Sequence, residues 1–147
     1  MATENDKKNK LWFNALLNGI FAWILGFVIY MIPAFVVAIR MGIELGPKSD
    51  DPATVSEQIS QTISGMYRNN ILFTIGFIIV TALFILWRAI RVAEKSVDKK
   101  SSMGLLVALI PALFGLLFMF SNGLNILSFV EILVFIAAGY TGGYLSK

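Results

Sequence analysis

Glu131 is the one acidic residue inside a long apolar segment of this 147-residue chain, which has neither His nor Cys. A carboxyl in hydrocarbon is costly, about 2–3 kcal/mol on insertion scales, so the group is expected to face protein or water. Two chemistries fit it. As a lone titratable group it relays a proton or a cation. As a structural group it pairs with Arg40 or Arg68 from the outer ends of other segments, or hydrogen-bonds to Tyr30 or Thr74. Ser128, Phe135, Ala138 and Gly142 share its helical face. Asn14 and Asn18, one helical turn apart, either line a polar entrance or bond locally to backbone and headgroup water.

Other chemistry is short of reagents. Without Cys there is no disulfide, thiolate metal site or cysteine nucleophile, and without His the commonest metal ligand and the usual haem axial ligand are missing. Nothing matches the glycine-rich patterns that cradle nucleotide phosphates, and no acid–base pair stands at interfacial depth. The sequence therefore predicts a protein that is not an enzyme and carries no cofactor or metal. A net charge of +3 raises the question of nucleic acid, but the basic residues cluster beside apolar segments, where the positive-inside rule accounts for them. No nucleic-acid partner is expected.

The twelve glycines have another use. Ala15, Gly19, Ala22 and Gly26 step along the first apolar segment by four, three and four, in one narrow helical stripe. Ala138 with Gly142, and Gly139 with Gly143, form small-xxx-small pairs near the other end of the chain. Such seams let helix backbones approach, within one bundle or between copies of it.

The elements that must position these residues follow from composition. Hydrophobic residues make up 57% of the chain and charged residues 14%, against about 45–50% and 25% in soluble domains. The excess needs lipid to cover it. The expected fold is an all-α integral membrane protein, one domain over residues 1–147: a four-transmembrane-helix bundle with an amphipathic helix in the first extracytoplasmic loop. The spans are expected at about 11–41, 71–90, 103–120 and 124–144. The first is too long for a ~30 Å hydrocarbon core and must tilt, emerge or kink, with Pro33 the expected kink. Pro111 and Gly115 interrupt the third, and Ser121-Asn122-Gly123 reads as a tight turn before the fourth. In the loop, Asp51 suits an N-cap and Pro52 the first helical position. Val55, Ile59, Ile63, Met66 and Tyr67 then recur at helical spacing over about 52–67.

Orientation follows from Lys and Arg. With Met1 in the cytoplasm, nine of the twelve lie inside (Lys7, Lys8, Lys10, Arg88, Arg91, Lys95, Lys99, Lys100, Lys147) and three outside (Arg40, Lys48, Arg68). The expected setting is a plasma membrane, of the bacterial inner-membrane kind, with both termini cytoplasmic. The partners expected are the lipid bilayer and a homo-oligomer or larger membrane complex. The leading functional expectation is a small non-enzymatic accessory or assembly subunit acting through helix packing. The rival is a small oligomeric ion- or proton-coupled transporter or channel using Glu131.

Overall fold

The computed structural model describes residues 4–48, 51–69, 71–96, 100–122 and 126–146. Among them the chain forms five α-helices and a short 3₁₀ turn: α1 (Glu4–Leu45), the turn (Gly46–Lys48), α2 (Pro52–Asn69), α3 (Ile71–Ala93), α4 (Lys100–Asn122) and α5 (Ile126–Leu145). Four stretches are long and apolar enough to cross a membrane: Asn9–Lys48, Ile71–Ala93, Lys100–Leu117 and Ile126–Leu145. At 1.5 Å per residue, α3 and α5 are about 30–35 Å long, the thickness of a hydrocarbon core.

The helix ends differ from the hydropathy reading in an instructive way. α1 begins at Glu4 and continues unbroken through Pro33 to Leu45, because helix growth adds a hydrogen bond per residue and no stop signal stands before Gly46. Ser121 and Asn122, expected in a turn, belong to the last turn of α4. Gly123, the third residue of that expected turn, lies outside the described residues. α2 starts where its cap dictates: the Asp51 carboxylate accepts from the Ala53 amide at 3.0 Å and from the Thr54 hydroxyl at 2.8 Å.

The four long helices pack in the order α1, α3, α5, α4 around a ring, with α3 and α4 also touching across the middle. Their core is built from small and β-branched residues. Ala15, Ala22, Ile78, Ile85, Ala89, Val107, Ala108 and Phe135 are buried, Phe135 being the largest side chain fully enclosed. Trp23 of α1 stacks on Phe114 of α4 at 4.2 Å between ring centroids. At the end where α5 stops, the Lys100 ammonium donates to the Ser146 carbonyl at 3.1 Å and the Ser146 hydroxyl to the Gly143 carbonyl at 2.7 Å. These contacts satisfy carbonyls left over at a helix C-terminus and place a cation at its negative pole.

α1 is the exception in length: its 42 residues make about 63 Å. Its last buried residue is Ala34, so residues 35–45 run about 16 Å past the bundle. α2 returns alongside this extension, and at its far end the Tyr67 hydroxyl donates to the Tyr30 carbonyl at 2.8 Å. In α2 the residues Val55, Ile59, Ile63, Met66 and Tyr67 are half-buried, while Ser56, Glu57, Ser60, Gln61 and Ser64 are exposed.

Candidate functional site: an intramembrane carboxyl and the seams around it

Glu131 lies in the second turn of α5 and is 9% exposed. It faces α4 at Gly115, where an added Cβ would stand 3.8 Å from the Glu131 Cδ and Oε1 and 3.1 Å from Ile132 Cγ1. The contact that an added Cβ would press is the one with Ile132, while the carboxyl would stand at ordinary van der Waals distance. Phe135, one turn further along α5, is fully buried, and Ser128, one turn before, is half-buried.

Tyr30 of α1 is within electrostatic range of both Glu131 and Tyr67. It belongs to an aromatic cluster that ties α1, α2 and α3 together. Its ring centroid is 4.6 Å from that of Tyr67 and 4.9 Å from that of Phe77, and Tyr67 meets Phe73 edge-on at 5.5 Å. Beside this cluster a cavity of about 360 Å³ opens between α1 and α3, its walls including Tyr30, Pro33, Phe73, Gly76 and Phe77.

The other polar residues expected at this site are placed elsewhere. Arg40 lies on the extension of α1 and donates from Nε to Glu44 Oε1 at 2.8 Å, both side chains largely exposed. An acid four residues along the same helix is a partner that needs no tertiary approach, so Arg40 does not turn back to Glu131. Thr74 is half-buried in the first turn of α3. Arg68 belongs to the last turn of α2, and its side chain is outside what the structure describes. Among the described residues no salt bridge or side-chain hydrogen bond reaches Glu131.

The small residues face inward. In α1, Ala15 and Ala22 are fully buried, Gly19 abuts the Val107 carbonyl of α4, and Gly26 abuts Thr81 of α3. In α5 the glycines divide between two neighbours. Gly139 lies against α4, where an added Cβ would come 2.5 Å from Ala108 Cβ and 2.6 Å from the Gly104 carbonyl. A Cβ added at Gly143 would stand 2.5 Å from the Lys100 carbonyl, again on α4, and one added at Gly142 would stand 2.6 Å from Ala89 Cβ on α3. Ala138 is half-buried beside them and packs on the core cluster.

The sequence reading passed over the matching surface of α4. Gly104, Ala108, Ala112 and Gly115 step by four, four and three, and all are buried. That spacing is the same signal as in α1, hidden because Pro111 and Gly115 drew notice as interruptions.

At the opposite end of the bundle from Tyr30 a second polar group stands out. The Asn18 amide donates to the Asn14 carbonyl at 2.7 Å and to Asn14 Oδ1 at 3.0 Å, and its own oxygen accepts from Arg88 Nη1 at 3.4 Å. Comparison of the chain with known protein families, curated proteins and solved structures finds no match.

Proposed function

We propose that this protein is a small non-enzymatic membrane bundle that works as an accessory or assembly subunit, docking through the extension of α1 and the α2 helix that accompanies it. The observation that carries this reading is the surface of the extension. Phe35, Ile39 and Ile43 are 61%, 64% and 70% exposed, on a stretch of α1 beyond its last buried residue. An apolar strip of this kind, on a stretch of helix beyond the bundle core with the single polar helix α2 beside it, is a surface on which a partner can pack. The half-buried and exposed faces of α2 are in keeping with an amphipathic helix at the outer membrane surface, completing the same platform.

Packing supports the reading from the other side. The glycine seams are occupied within the bundle, leaving Leu, Ile and Phe side chains on its outside, so attachment to a partner is better assigned to the extension than to a small-xxx-small contact. Photocrosslinking tests this. A photoreactive residue at Ile43 is expected to give a discrete protein adduct in membranes, whereas one at Ile79, exposed on α3, gives lipid adducts. Lipid adducts alone from Ile43 would overturn the assignment.

A second reading, an oligomeric proton- or cation-coupled transporter, draws on Glu131. It is favoured by a buried carboxyl with Tyr30 nearby and no counter-ion among the described residues.

A further inference from the structure

We infer that Arg88 is the anchor of a binding site for the phosphate group of an anionic glycerophospholipid. The guanidinium lies over two rings, 4.4 Å from the Phe21 centroid and 4.5 Å from the Trp87 centroid. The rings hold the cation through its π-facing side, and its in-plane donors are what a ligand can use. Of five N–H groups, one is directed to Asn18 Oδ1, and the Nε–H is buried with no partner. No acidic side chain pairs with Arg88 among the described residues.

The Nε–H is enclosed by the protein, so the terminal Nη donors not directed to Asn18 are the ones that can meet two oxygens of a phosphate, in the paired geometry that arginine and phosphate share. The bilayer supplies the phosphate at the right depth. Arg88 is about 26 Å along α3 from Ile71, at the level where one face of a ~30 Å hydrocarbon core gives way to headgroups.

Access is from lipid. Phe21 and Trp87 are 48% and 46% exposed, so a headgroup reaches the fork edge from the bilayer rather than through the bundle. The Asn14–Asn18 bonds fix which way the Asn18 amide points, so that its oxygen, not its NH₂, faces Arg88. From Asn14 the same side continues into a cavity of about 540 Å³ lined by Lys10, Leu11, Phe13, Asn14 and Leu17, wide enough for the glycerol region. Lys10 there repels a quaternary ammonium headgroup and attracts a net negative one.

The test uses the whole chain purified in a neutral detergent. Native mass spectrometry counts lipid adducts when phosphatidylglycerol and phosphatidylcholine of matched chains are added in equal amounts. Phosphatidylglycerol adducts are expected to dominate in the unaltered protein. R88Q should lower them about tenfold. R91Q, which removes the same charge from an exposed position one turn on, should leave most of them. R88K keeps the charge without the fork and should fall between the two, and it carries the test if R88Q does not fold. Millimolar inorganic phosphate should leave the adducts in place. Equal adducts of the two lipids, equal losses in R88Q and R91Q, no loss in R88K, or displacement of the lipid by inorganic phosphate would each overturn the assignment.

Discussion

Asp51 caps α2 through contacts within three residues of itself, first to the Thr54 hydroxyl and then to the Ala53 amide, and both hold its carboxyl below its ordinary 3.8. Because the folded value is the lower one, the stabilisation is complete above pH 3.8 and is lost as pH falls through that lowered value. The amide resonances of residues 53–56 are expected to show fraying of α2 in that acid range, and D51N, which caps without titrating, to abolish the pH dependence. A cap of this kind is legible in sequence because every partner is local. Glu131 is the opposite case. Its spacing placed it on the inner face of α5, but its neighbours come from other helices, and no pattern could decide among Arg40, Arg68, Tyr30 and Thr74. With no counter-ion among the described residues, E131Q is expected to change the unfolding free energy in detergent by less than about 1 kcal/mol. A loss of about 3–5 kcal/mol would instead reveal a stranded cation. Under the second functional reading the same substitution abolishes pH-driven flux in proteoliposomes while leaving that stability unchanged.

At the scale of elements, the four apolar runs announced their helices because nothing but lipid or a bundle core can cover such lengths. Their ends were harder to read, since growth from an apolar core carries a helix into polar flanks, as at Glu4 and Asn122. Which faces meet is again tertiary. The stripe from Ala15 to Gly26 could have served a neighbouring copy, and it took Val107 and Thr81 on the facing helices to place it inside. The close approach of α4 and α5 makes a definite demand. At Gly139 any side chain collides with Ala108 and the Gly104 backbone, whereas an added Cβ at Gly76 meets nothing within 4 Å. Overpacking a tight contact costs about 1–3 kcal/mol or more. G139L is therefore expected to lower resistance to unfolding in detergent by at least that amount, with G76L near neutral. Equal effects would mean that the backbones are not held as close as drawn.

For the whole molecule, the decisive quantity is where charge sits relative to the apolar girdle. If the four candidate spans all cross, the C-terminus returns to the side of the N-terminus, and the sequence divides its basic residues nine to three between the two sides. Moving the larger set across a membrane is opposed by the bias that sets orientation during insertion. The end that carries Arg88, Lys95 and Lys100 should then face the cytoplasm, and the α1 extension with α2 should face outward. The chain has no cysteine of its own, so single introduced cysteines report cleanly. In intact cells, cysteines replacing Lys48 or Ser60, both exposed, are expected to react with an impermeant thiol reagent. Those replacing Lys7 or Lys95 should react only after permeabilisation. The reverse pattern would invert the molecule, placing the docking extension in the cytoplasm and the Arg88 site in the outer leaflet. Reaction at all four positions in sealed cells would have a different consequence: the apolar helices would not span, and the surface left exposed around the bundle would need a protein rather than lipid to cover it.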